Sequence, residues 1–68
     1  MTGIDKGLIV MRIAYNTRND LDLEQALRDL VRYNCTANEI FENCPTLTMK
    51  RDIKAKLIAL GLKPIVVK

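Results

Sequence analysis

Basic side chains are the residues of this chain best suited to binding chemistry, and they cluster in its last third. Residues 46–68 contain six lysines and arginines against one acidic residue, Asp52, which gives the stretch a net charge of +5. Residues 23–45 carry a net charge of −2, and the first 22 residues are balanced. Because ammonium and guanidinium groups bind phosphates and carboxylates, this basic region is the first candidate for a binding surface.

Residue types that commonly carry catalysis or bind metals are scarce. The chain has no histidine, the commonest general base and metal ligand. Cys35 and Cys44 lack the two further ligands that a zinc site requires, and there is no glycine-rich phosphate loop. We therefore predict that the protein is not an enzyme and that it binds no metal or other cofactor.

The two cysteines also indicate the cellular compartment. They flank a predicted short helix, whose rise would separate their Cα atoms by roughly 13 Å, whereas a disulfide requires less than about 7 Å. We predict two buried free thiols in a cytoplasmic protein.

The chain has no apolar run long enough to span a membrane, so no membrane partner is predicted. Its 68 residues predict one domain over residues 1–68.

Two helices joined by a turn are predicted to position the basic side chains. Thr36 and Glu39 have the spacing of a capping box, which predicts a short helix over residues 37–43. Pro45 prevents that helix from continuing.

The second helix of the pair, predicted over residues 48–60, begins after Thr46 or Thr48 and ends at Gly61, which suits a left-handed helix terminus. Its predicted core face consists of Met49, Ile53, Leu57 and Leu60. These residues are four, four and three positions apart, which places them on one side of a helix. The basic residues lie off that face, several of them near the helix N-terminus. The helix dipole disfavours cations there by about 0.3–1 kcal/mol each, so their presence indicates an anionic partner.

A further helix is predicted over residues 23–34, and residues 8–15 fit two interpretations. As a strand, their alternate residues from Ile9 to Tyr15 share a face; as a helix, residues from Ile4 to Tyr15 at helical spacing do so. We favour a strand, because the short β-branched segment 63–68 requires a pairing partner. The predicted fold is therefore α+β and mostly α, a three-helix bundle with a two-stranded sheet formed by the terminal segments. The alternative is an all-α fold with an N-terminal helix over residues 4–15.

Residues 36–62 resemble the helix-turn-helix motif of bacterial and phage DNA-binding regulators. In that family a Thr-Ala-x-Glu-Ile sequence opens one helix, and a recognition helix ends in Leu-x-x-Leu-Gly-Leu. The matching sequences here are Thr36-Ala-Asn-Glu-Ile40, Ile53-Lys-Ala-Lys-Leu57 and Leu60-Gly-Leu62. The resemblance implies a helix-turn-helix core and a small transcriptional regulator that binds double-stranded DNA.

On this interpretation, helix 48–60 is the recognition helix. Arg51 is suited to bidentate recognition of guanine, and the lysines are suited to phosphate contacts. The residues predicted to bind DNA are Thr48, Lys50, Arg51, Lys54 and Lys56.

A protein-binding adaptor or inhibitor of a larger host protein is the alternative function. It is favoured by Phe41 on the acidic helix 37–43 and by the two apolar faces of the N-terminal segment, which exceed what a small core needs. The same N-terminal segment is the predicted contact of a homodimer, which a regulator needs in order to span two half-sites.

Overall fold

The protein is an assembly of four helices, as seen in a computed structural model that describes residues 3–67. The helices, in chain order, are α1 (Gly3–Asn16), α2 (Asp20–Arg32), α3 (Ala37–Glu42) and α4 (Leu47–Leu60). The three helices predicted over residues 23–34, 37–43 and 48–60 are confirmed as α2, α3 and α4 with shifted ends.

The α+β assignment is wrong, because residues 3–67 contain no two-stranded sheet and the N-terminal segment is helical. Gly7, Leu8, Met11 and Ala14 are buried at helical spacing, whereas Ile13, which the strand interpretation placed with Met11, is exposed. The residues of this segment that are buried therefore follow the helical period of 3.6 residues and not the strand period of two. The all-α alternative, with an N-terminal helix, describes the fold.

The C-terminal segment finds a different partner from the predicted one. Ile65 forms an isolated parallel bridge with Thr36, in which the Ala37 amide donates to the Ile65 carbonyl oxygen at 2.7 Å. The C-terminal segment therefore pairs with the backbone at the start of α3 and not with the N-terminal segment. Lys68, the last residue of the predicted strand, lies outside the described residues.

The core lies where all four helices meet. Met11 of α1, Leu27 and Leu30 of α2, Ile40 of α3 and Ile53 of α4 are completely shielded from solvent. These side chains form one apolar cluster, so each helix is held by the face that its periodicity predicts.

Close packing of α1 on α2 depends on a glycine. A Cβ atom added to Gly7 would lie 2.8 Å from Leu30 Cδ2. Since Leu30 is fully buried and cannot easily move aside, a larger residue at Gly7 would push the two helices apart.

Polar side chains cap the starts of three helices. The Thr36 hydroxyl accepts from the Glu39 amide at 3.1 Å, as the sequence predicts. The Thr46 hydroxyl accepts from the Met49 amide at 3.1 Å, so Thr46 and not the alternative Thr48 caps α4. The cap of α2 is Asn19, whose side chain accepts from the Asp22 amide at 3.2 Å, so α2 begins earlier than predicted. Each cap satisfies an amide that has no partner inside its helix.

Three helices end in the same left-handed turn. The residue in the left-handed conformation is Arg18 after α1, Asn34 after α2 and Gly61 after α4, with φ values of 56°, 62° and 70°. In each turn the next residue donates to a carbonyl five residues back, at 2.9 Å, which is the Schellman arrangement. Glycine adopts this conformation freely, asparagine tolerates it, and arginine does so only with strain.

Candidate nucleic-acid interface

The predicted binding residues lie in the first three turns of α4. Thr46 caps the helix, and its first turn contains no acidic residue. The first turns of the other three helices each contain at least one, such as Asp5 in α1 and Glu39 in α3. Negative charge in that position stabilises a helix, so α4 lacks a stabilising feature that the rest of the fold uses.

The rotation of α4 is fixed by its buried face. Met49, Ile53 and Leu57 are buried in the core as predicted, and Leu60 packs against the core while partly exposed. Because these residues cannot turn away from the core, every other side chain of α4 has a defined direction relative to the bundle.

Three of the predicted binding residues lie together on one side of α4, which we call the basic side: Lys50, Arg51 and Lys54. All three are exposed. The two ion pairs found in residues 3–67 use other cations, Arg28 and Lys56. The charges of the basic side therefore have no carboxylate partner among the described residues.

Two large apolar side chains accompany these charges. Leu47 and Ile58 are 65 % and 69 % exposed, and helical spacing places both on the same side of α4 as Arg51 and Lys54. The surface thus combines unpaired positive charge with apolar area.

The opposite flank of α4, which we call the paired side, carries Thr48, Asp52 and Lys56 at intervals of four residues. The Tyr15 hydroxyl donates to Asp52 Oδ2 at 2.6 Å, and this hydrogen bond to the carboxylate raises the pKa of Tyr15. Lys56 Nζ lies 4.0 Å from Asp20 Oδ1. The charges on this side are thus engaged with α1 and α2.

A cleft of about 660 Å³ lies between the paired side and the turn that joins α1 to α2. Thr48, Asp52 and Lys56 line one wall, and Tyr15, Arg18 and Asp20 are among the residues opposite. Sequence reasoning missed Arg18 as a neighbour of α4. Its only signal was a basic residue in the polar turn between two helices.

No protein-family model, curated protein or solved structure matches this chain. Its function is therefore inferred from the surface of α4 and the residues around it.

The five predicted DNA-binding residues do not form a single surface. Lys50, Arg51 and Lys54 lie together on the basic side, whereas Thr48 and Lys56 line the cleft on the paired side. A partner on the outer surface of α4 would meet the first group directly and the second only along its edge.

The apolar residues that favour a protein partner are partly buried in the core of the protein itself. Phe41 of α3 packs against the core and is half-buried. α1 buries one of its apolar faces against the bundle and leaves Ile13 57 % exposed on another.

The two cysteines are free thiols, both buried. Burial, together with the nearby Glu39 carboxylate, raises the pKa of Cys35 to about 11, and burial also raises the pKa of Cys44. Both thiols are thus protonated at neutral pH, which makes them poor nucleophiles.

Neither a metal site nor a membrane-spanning helix is present in residues 3–67. No three Cys, Asp or Glu side chains of this part of the chain are arranged to hold a metal ion. None of its helices has the length and apolar character required to cross a bilayer.

Proposed function

We propose that the protein is a small DNA-binding regulator that inserts α4 into the major groove of double-stranded DNA. Lys50, Arg51 and Lys54 provide the contacts, with Arg51 directed to base edges and the lysines to phosphates. Thr48 and Lys56 lie at the edges of the contact.

The observation that carries the proposal is the exposed, unpaired positive charge of the basic side. A surface lysine alone is ordinary. Here three cations are grouped in the first two turns of a helix that has no first-turn carboxylate, and the helix dipole opposes the one nearest the N-terminus, Lys50. An anionic partner would offset that unfavourable arrangement.

The dimensions and connections of the helices suit this mode of binding. α4 has 14 residues and is therefore about 21 Å long, and a major groove about 12 Å wide accepts an α-helix. Only residues 43–46 separate α3 from α4, which is a turn length found in helix-turn-helix motifs.

A regulator of this type would act in the cytoplasm of a bacterium or a phage host and would bind two half-sites as a homodimer. The dimer contact that we propose is the outer side of α1, where Ile13 is exposed. Ile13→Ser is expected to shift a dimer to monomer in light scattering with the helical content unchanged. A wild-type protein that is monomeric at all concentrations, with and without DNA, would contradict the dimer.

Titration of a mixed-sequence duplex with the protein at several salt concentrations tests the proposal. We expect log affinity to fall linearly with log salt, with a slope of about −3 to −5, which corresponds to roughly three to six neutralised phosphates. Absence of binding at low salt would overturn the proposal.

A second function, as an adaptor or inhibitor that binds a larger host protein, is favoured by Leu47 and Ile58. Exposed apolar side chains beside the positive charges would suit an acidic protein surface with an apolar centre. A double substitution of Leu47 and Ile58 to serine discriminates between the two functions. DNA affinity is expected to change by less than about threefold, because phosphate contacts dominate it, whereas a protein-binding surface would lose its apolar contacts.

A further inference from the structure

We propose that Arg18, in the turn between α1 and α2, is a second DNA contact that binds a phosphate on the strand opposite the basic side. The inference rests on the proposed function and assigns a new residue to it. Arg18 would hold one edge of the groove while Lys50 and Lys54 hold the other.

The first observation is the backbone conformation of Arg18. Its φ of 56° lies in the left-handed region, where a side chain with a Cβ atom is strained and where glycine is favoured. The equivalent turn after α4 uses Gly61. Arginine at this position is therefore not explained by the stability of the turn, and such outliers concentrate at functional sites.

The second observation is the state of the charged groups around it. In the cleft, the Asp52 carboxylate accepts from Tyr15, and Asp20 lies beside Lys56. Arg18 is exposed, and its guanidinium makes no hydrogen bond or ion pair with residues 3–67. Of the charged side chains that line this cleft, Arg18 alone has neither a hydrogen bond nor an ion pair with another side chain of residues 3–67.

The third observation is its position relative to α4. Arg18 lines the same cleft as Thr48 and Lys56, on the flank of α4 that faces away from the basic side. A helix seated in the major groove has a phosphate strand on each of its flanks. The basic side would meet one strand, and the turn that carries Arg18 would meet the other.

The test is Arg18→Gly, which should change stability and DNA binding in opposite directions. Relief of the strained backbone is expected to raise the Tm by about 4 °C. Loss of one phosphate contact is expected to lower the affinity for a mixed-sequence duplex of about 20 base pairs by roughly 3- to 10-fold, and to make the salt slope shallower by about 0.9.

Matched variants separate this contact from general effects. Asn34→Gly changes the other strained turn and should raise the Tm while leaving affinity and slope unchanged. Arg32→Ala removes an exposed arginine of α2 and should leave the slope unchanged. Arg18→Lys should keep the wild-type slope because it keeps the charge.

Either of two results overturns the role of Arg18 while the proposed function stands. One is DNA binding by the wild type together with an unchanged affinity and salt slope for Arg18→Gly. The other is an equal loss for Arg32→Ala, which would mean that net charge alone matters. A wild type that does not bind DNA overturns the proposed function and the role of Arg18 together.

Discussion

The basic side and the paired side of α4 both carry lysine, but the charged groups around those lysines differ. On the paired side, Asp52 and Lys56 interact with Tyr15 and Asp20, from α1 and α2. On the basic side, Lys50, Arg51 and Lys54 meet no acidic partner among residues 3–67. The two flanks of one helix therefore have different roles, one in contact with the rest of the bundle and one available to a partner.

This difference shows why residue type alone does not define a binding surface. Lys54 and Lys56 are two residues apart and chemically identical, but only Lys56 lies beside a carboxylate. An ion pair with an exposed partner weakens the attraction of Lys56 for a phosphate, since the Asp20 charge opposes the approach of another anion.

Ile53→Ala should have the largest effect, because it removes a fully buried side chain that fixes the orientation of both sides. The free energy of unfolding is expected to fall by about 2–5 kcal/mol, which is most of the stability of so small a domain. Thermal unfolding followed by circular dichroism measures the loss. A Tm within a few degrees of wild type would show that α4 does not depend on the core for its position.

The double variant Arg51→Ala and Lys54→Ala should have the next largest effect, and only on binding. Removal of the arginine is expected to cost about 1–3 kcal/mol of DNA-binding free energy, and removal of the Lys54 phosphate contact should make the salt slope shallower by about 0.9. Fluorescence anisotropy with labelled duplex measures both quantities.

The stability of this double variant is the internal control. Surface substitutions are expected to change the free energy of unfolding by less than about 0.5 kcal/mol. If the double variant is folded and its DNA affinity is unchanged, the basic side is not the DNA-binding surface and does not differ from the paired side in this respect.

Gly61→Ala tests the C-terminal end of α4. The residue has φ of 70°, and a Cβ atom there would meet no atom outside residues 60–62 within 4 Å. The loss of stability, about 1 kcal/mol, should therefore come from backbone strain alone. Chemical denaturation measures it, with Ala59→Gly as a control inside the helix; equal stability of Gly61→Ala and wild type would contradict the left-handed terminus.

Alkaline pH should remove the stabilisation that the Tyr15–Asp52 hydrogen bond gives to the fold. The hydrogen bond to Asp52 raises the pKa of Tyr15 in the folded state, so its stabilising contribution is complete below about pH 10 and is lost as the pH rises further. The Tm should therefore decline less steeply with pH above pH 10 for Tyr15→Phe than for wild type. An equal decline of the Tm in both proteins would show that the hydrogen bond does not stabilise the fold.

Lys56→Ala should have the smallest effect. Its ion pair is long, at 4.0 Å, and its partner is highly exposed, so the expected change in stability is within about 0.5 kcal/mol. DNA affinity should fall less than it does in a single Lys54→Ala variant. An equal loss for the two lysines would place both sides of α4 in contact with DNA to the same extent.

The sequence predicts the last three helices well because their signals are local. Thr36 is a cap as expected, Thr46 is one of the two caps expected for α4, and Gly61 terminates α4. Residues 8–15 were assigned wrongly because both periodicities fit the segment. The strand interpretation rests on the need of the C-terminal segment for a pairing partner. In the structure that partner is the backbone at Thr36, which no side-chain pattern reveals.

The candidate site is predictable only as a helix with a basic surface. The apolar spacing of α4 correctly separates its basic residues from the core. The neighbours of those residues depend on how the helices pack, so the proximity of Lys56 to Asp20 could not be read from the sequence. Arg18 was missed for the same reason, since its left-handed conformation and its place beside α4 follow from the tertiary structure.

The most direct test of the central claim is a titration of ¹⁵N-labelled protein with duplex DNA, followed by amide and arginine side-chain NMR signals. If the basic side is the binding surface, the signals of Lys50, Arg51 and Lys54 should shift most, while those of the outer faces of α2 and α3 remain in place. Largest shifts on the acidic α3, or none above those caused by salt alone, would contradict the assignment of the basic side as a DNA-binding surface.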